Sequence, residues 1–270
     1  MDLSEVNERG LVLLGCGKMG SALLEGWLKT GVRAEAVHVL EPNPSEWLKA
    51  TGVHLNEGLP ESPAMAVLAV KPQMMAEALP GLRALGGGGT VFVSIAAGTS
   101  LATLAAALGE GTPIVRTMPN TPAAVGRGIT ALIGNAWVTE AALRQAEALM
   151  AAVGETVLLQ HEAQMDAVTG VSGSGPAYVF HLIEALAAAG AAQGLPEDMA
   201  MKLARATVCG AGELAFRSSE SAAQLRVNVT SPGGTTAAAL DILMNEADGL
   251  PPLLARAVRA ATERSKELGR

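Results

Sequence analysis

The chain has 270 residues, 49% apolar and only 3% aromatic, so its core must be built from Ala, Val, Leu and Met. That length suits one large domain or two ordinary ones. Acids outnumber bases, 26 to 19, and no Lys/Arg cluster appears. A nucleic-acid partner is therefore not expected, because phosphate binding needs concentrated positive charge. The polar start MDLSEVNERG does not read as a signal peptide, and no run of about 18 apolar residues offers a membrane span. Two cysteines far apart in sequence, Cys16 and Cys209, fit a reducing cytoplasm better than a disulfide framework.

In chain order, LVLLG (11–15) reads as the first strand and SALLEGWLKT as the first long helix. AVHVLE (36–41), MAVLAV (65–70), TVFVSI (90–95) and PIVRTM (113–118) read as further strands. They are apolar on both faces, as buried parallel strands are. MMAEALPGLRAL is helical in pattern, and GGGG (86–89) reads as a loop before a strand. This alternation predicts an α/β fold with a doubly wound, Rossmann-type sheet. Short strands are expected at GITALI and TVLLQ, with the helix EAALRQAEALMAAV between them. After Gln160 the strands stop. AYVFHLIEALAAAGAAQG, EDMAMKLARATVCGAGELAF and PPLLARAVRAATERSKEL are long and helical in pattern. The expected division is a dinucleotide-binding domain over 1–160 and an all-helical domain over 161–270. Helices made mostly of Ala and Leu offer limited area for burial, so the second half is expected to complete its core with a second subunit.

G-x-G-x-x-G falls at Gly15, Gly17 and Gly20, directly after a strand and at the start of a helix. The first glycine allows the tight turn, the second lets backbone approach a pyrophosphate, and the third lets helix and strand pack closely. The exposed N–H groups and the positive end of the helix dipole then face the phosphates. Glu41 ends the second strand, 21 residues beyond Gly20. A carboxylate there can accept from a ribose 2′-OH and would repel a 2′-phosphate. No arginine follows in EPNPSEWLKA, so the reading favours NADH over NADPH. A merely solvated strand-end acid is the alternative. AVKPQ (69–73) ends the next long strand, where ligands of open α/β sheets gather; Lys71 there is either a ligand or a surface lysine.

SPGGTT (231–236) reads as a helix start built around an anion. Pro232 makes the chain arrive extended, Gly233 and Gly234 leave N–H groups uncovered, and Thr235 and Thr236 begin the helix. Ordinary N-capping by Ser231 or Thr235 is the competing reading. Cys16 lies at a helix N-terminus that could lower a thiol pKa, or it simply fills its place. The four histidines lack metal-binding spacing.

GCGKMG, AVKPQ, SIAAG, VRTMPNTPA, VTGVSGSGPAY and VTSPGGTTAAAL occur in this order. With them the sequence resembles the pyrroline-5-carboxylate reductase family over nearly the whole chain. GxGxxG is generic, whereas MPNTPA, SGSGPAY and TSPGGTT are specific. The resemblance implies reduction of the cyclic imine 1-pyrroline-5-carboxylate to L-proline with NADPH or NADH, the last step of proline biosynthesis. It implies a helical substrate-binding and dimerisation domain, with homodimers assembling into a larger ring such as a decamer. It places the cofactor on Gly15, Cys16, Gly17, Lys18, Met19 and Gly20, past Asn56, and along Ala69, Val70, Lys71 and Pro72. Asn56 carries over because it stands 15 residues before Lys71; a loop asparagine making a turn is the other reading. The substrate-binding residues it implies are Ser231, Gly233, Gly234, Thr235 and Thr236, with the substrate carboxylate on the N–H groups of Gly234, Thr235 and Thr236, helped by the Ser231 hydroxyl. The Thr236 hydroxyl is expected at the ring nitrogen, and the nicotinamide near 94–98 and the Met118-Pro119-Asn120 turn. The sequence departs from the family at Ser221 and Ala222, where His-Pro is common, and at Val227, where an acid often stands. A β-hydroxyacid dehydrogenase would need a catalytic lysine in the helical half, where Lys202 and Lys266 sit in no such motif. A dinucleotide-sensing binding module would need no second anion site.

Overall fold

The computed structural model describes residues 3–269. Its first compact unit comprises residues 1–173 together with 261–270, and its second comprises 174–260. The division by compactness thus falls thirteen residues beyond the boundary expected from the end of the strands, and it returns the chain's last turns to the first unit.

The first unit is one eight-stranded sheet with helices between its strands. The strands are β1 (Leu11–Leu14), β2 (Val37–Leu40), β3 (His54–Leu55), β4 (Met65–Leu68), β5 (Val91–Ser94), β6 (Ile114–Met118), β7 (Gly128–Gly134) and β8 (Gly154–Leu158). Its helices are α1 (Ser4–Arg9), α2 (Lys18–Lys29), α3 (Glu46–Lys49), α4 (Met75–Ala78), α5 (Leu101–Leu108), α6 (Glu140–Ala151) and α7 (Met165–Val168). Strand order is β3-β2-β1-β4-β5-β6-β7-β8, and the reversal of order at β1 and β4 creates the crevice in which such sheets bind ligands. β1 and β4 are buried at every position, as their unbroken apolar runs require.

Two features depart from a simple parallel sheet. β6 and β7 pair antiparallel, and β7 and β8 then run parallel to each other. The link from β6 to β7 holds only a 3₁₀ turn, Thr121–Val125, closed by Gly126 at φ +67°. A parallel crossover needs about a dozen residues, so this short link reverses the chain. The edge strand β3 is only two residues long and half-buried, and nothing in its pattern announces it.

Hydrophobic clusters fill both faces of the sheet. Leu11, Leu13, Leu23, Leu24, Trp27 and Leu149 share one, and Val12, Leu68, Leu82, Phe92, Leu104 and Leu108 share the other. Trp27 is fully buried, and its indole N–H donates to the Leu149 carbonyl at 2.9 Å, so it spans α2 and α6 without an orphaned polar atom.

The second unit is entirely helical: α8 (Gly175–Ala192), α9 (Glu197–Arg217), α10 (Ala222–Asn228), α11 (Thr235–Leu243) and most of α12 (Leu250–Leu268). Pro176 sits in the first turn of α8 and Ser221 caps α10 by accepting from Gln224 N–H at 3.2 Å. Gly190 of α8 lies against Ala200 of α9, which lets the two axes approach. Among the described residues, no helix is long and apolar enough to cross a membrane.

Candidate active site

Within the first unit the site begins at the turn after β1. Gly15 has φ +90°, and its N–H donates to the Leu40 carbonyl at 2.8 Å. A Cβ on Gly15 would lie 2.8 Å from Val70 Cγ1 and 2.9 Å from the Ala69 carbonyl oxygen. Only glycine satisfies both the left-handed backbone and that approach. A Cβ on Gly20 would stand 2.4 Å from the Gly15 carbonyl oxygen, so α2 lies as close to the turn as bare backbone allows. Gly17 differs: nothing lies within 4 Å of the place its Cβ would take. Its extended backbone caps α2 without any side-chain cap, and Ser21 N–H returns to its carbonyl at 2.8 Å. The N–H groups of Lys18, Met19 and Gly20 therefore stand ahead of the helical ladder. An open backbone, unpaired amides and a helix dipole together suit a pyrophosphate.

Glu41 is occupied rather than solvated. One carboxylate oxygen accepts from Cys16 N–H at 2.8 Å and the other from Asn43 N–H at 2.9 Å. This places a fixed negative charge beside the glycine turn. The Cys16 thiol is pushed up to about 11 by burial and then by the Glu41 charge. The helix N-terminus does not make it a reactive thiolate. Ala69 N–H donates to the Leu14 carbonyl at 2.8 Å, which holds the 69–72 segment against the glycine turn. Lys71 and Pro72 are exposed, and Pro72 opens the short 3₁₀ turn Pro72–Met74.

Further along the strand ends, Ser94 and Thr117 are buried, and Thr117 Oγ1 donates to the Ser94 carbonyl at 3.0 Å. Asn120 is also buried and ties two motifs together. Its Nδ2 donates to the Ser172 carbonyl at 3.1 Å, and its Oδ1 accepts from Ile129 N–H at 3.0 Å. The MPN turn is thus bolted to the π-helical turn Thr169–Gly173. One feature went unread in the sequence. Arg116 is buried in β6 and pairs with Glu162 at 2.7 Å, while the same Glu162 oxygen accepts from Leu101 N–H at 2.8 Å. The signal was present in PIVRTM: an arginine inside a strand buried on both faces requires a partner charge. Among the described residues, no group of His, Cys, Asp and Glu could hold a metal ion.

In the second unit, the loop before α11 has Gly233 at φ +69°, then Gly234 as an extended helix cap. No side chain caps α11, so neither Ser231 nor Thr235 plays the ordinary capping role. The first intrahelical bond runs from Ala238 N–H to the Gly234 carbonyl at 3.2 Å, leaving the Thr235 and Thr236 amides ahead of the ladder. Gly234 departs from expectation: its N–H already donates to the Ser231 carbonyl at 3.0 Å, closing the turn. Thr235 is exposed and Thr236 half-buried.

A sheet with an intact dinucleotide turn at its switch point, followed by a helical bundle, defines a Rossmann-type oxidoreductase. A family profile described as "Pyrroline-5-carboxylate reductase dimerisation" matches residues 162–268, and one described as "NADP oxidoreductase coenzyme F420-dependent" matches residues 11–98. A pyrroline-5-carboxylate reductase of Pseudomonas aeruginosa is 40% identical over 264 residues, covering 96% of each chain. Among solved structures, a pyrroline-5-carboxylate reductase from Coxiella burnetii superposes with a TM-score of 0.91 at 33% identity, covering 98% of this chain and 100% of that one. The Plasmodium falciparum pyrroline carboxylate reductase, solved with NADP bound, gives 0.81 at 29% identity, covering 98% and 99%. The chain belongs to the pyrroline-5-carboxylate reductase family.

Proposed function

We propose that the chain reduces 1-pyrroline-5-carboxylate to L-proline, with residues 1–160 holding the cofactor and 161–270 holding the substrate and a second subunit. The observation that carries the reading is the start of α11, where two threonine amides precede the ladder and no side-chain cap bonds to them. A carboxylate placed there gains about 0.3–1 kcal/mol from the helix dipole, and more when partly buried. The Ser231 hydroxyl adds a donor. The Thr236 hydroxyl is assigned to the ring nitrogen, which it orients and hydrogen-bonds.

A reduced nicotinamide supplies the hydride that forms the new C–H bond at the imine carbon. The C=N π pair passes to nitrogen, which carries a proton in the product amine. SPGGTT holds no Asp, Glu or His, so water is the assigned proton source. Protonation before transfer makes the imine the better electrophile. Most of the rate enhancement is then assigned to positioning, which supplies on the order of 7–11 kcal/mol in favourable cases. The chain contributes by fixing the carboxylate, the nitrogen and the dinucleotide turn.

The fixed Glu41 carboxylate favours NADH over NADPH, since it accepts from a ribose diol and repels a 2′-phosphate. Both cysteines are free, in keeping with a cytoplasmic protein. The apolar side chains left exposed on α8, α9 and α12 support a homodimer, assembling further into a ring such as a decamer. Incubation with pyrroline-5-carboxylate and each reduced dinucleotide, followed by absorbance loss and proline assay, tests the reading. No proline from either cofactor would overturn it.

A further inference from the structure

Among the described residues of α12, the one buried side chain is a serine. Ser265 is 5% exposed, and its hydroxyl donates to Asp166 Oδ1 at 2.7 Å. A buried hydroxyl is costly unless it is hydrogen-bonded, so this pair fixes where the last turn of α12 sits. That turn lies on the loop after β5. A Cβ on Gly98, which has φ +74°, would stand 3.3 Å from the Leu268 carbonyl oxygen. A Cβ on Gly269 would stand 2.9 Å from the Gly98 carbonyl oxygen. Backbone meets backbone here, with a glycine on each side of the contact. All of these residues belong to the first unit. The far end of the same loop is held by Glu162, which accepts from Leu101 N–H at 2.8 Å and pairs with Arg116 at 2.7 Å. Glu162 and Asp166 stand four residues apart in sequence, so one short segment governs both contacts.

β5 stands second from β1 in the sheet, beyond β4, so the loop 95–100 begins about 10 Å along the strand ends from the glycine turn. With a pyrophosphate at that turn and the adenosine toward β2, the other nucleoside of a dinucleotide passes over β4 toward β5. We propose that Ser265 and Asp166 are positioning residues for the nicotinamide. They set the last turn of α12 against Gly98, and so hold the 95–100 loop as the wall against which the ring lies. The inference rests on reading the glycine turn as a dinucleotide site and the reaction as imine reduction. Both residues act through the loop and neither touches the cofactor. A helix assigned by sequence to the substrate half thus ends in the service of the cofactor half. Transfer between two bound reactants is steep in distance, and a misplacement of about 1 Å costs on the order of 100-fold. A loop that loses its backing therefore slows hydride transfer without releasing the dinucleotide.

The test uses the full chain and two readouts. Single-turnover oxidation of NADH by saturating pyrroline-5-carboxylate reads the transfer. Equilibrium titration with ADP-ribose, which lacks the nicotinamide, reads the glycine turn. Ser265→Ala and Asp166→Ala are each expected to slow transfer on the order of 10-fold, while the Kd for ADP-ribose stays within about twofold. In the double variant the two losses should not add, because each removes the same bond. Asp166→Asn keeps an oxygen that accepts from the Ser265 hydroxyl and is expected to retain transfer within about twofold. Unchanged transfer in both alanine variants would overturn the proposal. So would an equal loss of transfer and of ADP-ribose affinity, which marks a general loosening of the unit. An unsubstituted chain that binds no ADP-ribose would overturn the site reading, and one that binds it but oxidises no NADH with the imine would overturn the functional reading; the proposal falls with either.

Discussion

The first unit buries its large side chains within itself; the second leaves them outside. Trp27, Phe92 and a set of leucines are fully buried in the sheet domain. In the helices of the second unit the buried apolar side chains are the alanines Ala187, Ala200 and Ala204. Phe180 is 59% exposed, Leu203 51%, Leu214 56% and Ile242 73%. Both units have similar apolar content, so composition does not separate them. Layering does: a sheet covered on both faces closes its own core, whereas a few Ala-rich helices have no second layer. The helical unit exposes the apolar side chains of which a core is made.

The largest effect is expected from charging that exposed apolar face. Leu203 and Leu214 lie eleven residues apart on α9, three turns along one face. Each contributes about 1.5–3 kcal/mol when buried. The double variant Leu203→Glu, Leu214→Glu should abolish self-association in analytical ultracentrifugation. It should also remove the dependence of melting temperature on protein concentration that mass action gives an obligate oligomer. An unaltered sedimentation profile would show that this face is not where copies meet.

Thr236→Ala separates the units by chemistry. It removes a hydroxyl from the second unit and leaves the glycine turn of the first unsubstituted. Turnover should fall roughly 10- to 1000-fold, a loss of about 1.4–4 kcal/mol, while the dissociation constant for NADH stays put. Stopped-flow single-turnover rates and equilibrium titration read the two quantities separately. An unchanged rate would take Thr236 out of the mechanism.

Gly20→Ala does the reverse. Its methyl would meet the Gly15 carbonyl, and forced relief of such a contact costs about 1–3 kcal/mol. Denaturant unfolding should show that loss, with a weakened dinucleotide and an intact oligomer. Retained NADH affinity would mean that α2 can retreat without disturbing the phosphate turn.

Much of this was readable from sequence where the signal was local. Short runs rich in β-branched and apolar residues gave the five central strands, and G-x-G-x-x-G after a strand gave a turn whose three glycines serve three separate geometric needs. Signals that depend on distant partners were not readable. The reversal at β7 depends on the length of one link, and β3 is two half-buried residues without a pattern. The Gly234 amide looked as bare as its neighbours because a turn closed by the Ser231 carbonyl leaves no compositional trace. Glu41 was found as an acid at a strand end, but its two amide donors lie on separate loops. Arg116 and Glu162 stand 46 residues apart, and only the fold brings them together.

The smallest effect concerns the half-buried edge where β2 meets β3. His38 and His54 stack there, ring centroids 4.5 Å apart and 17° from parallel. His38 Nδ1 bonds the Gly58 carbonyl at 2.9 Å, and His54 Nδ1 meets Glu57 at 2.9 Å. Burial holds the His38 pKa below its usual 6.5, with the neighbouring His54 adding to this and the Gly58 bond and Glu57 opposing it. A lowered folded pKa means that the unfolded chain binds the proton more readily. The contribution of His38 is therefore fully present above pH 6.5 and is lost as pH falls below 6.5 through the folded value. Thermal melts at descending pH should show a modest destabilisation over that window, reduced in His38→Asn, which titrates nothing. A melting temperature that fell as steeply with acid in His38→Asn would take His38 out of that sensitivity.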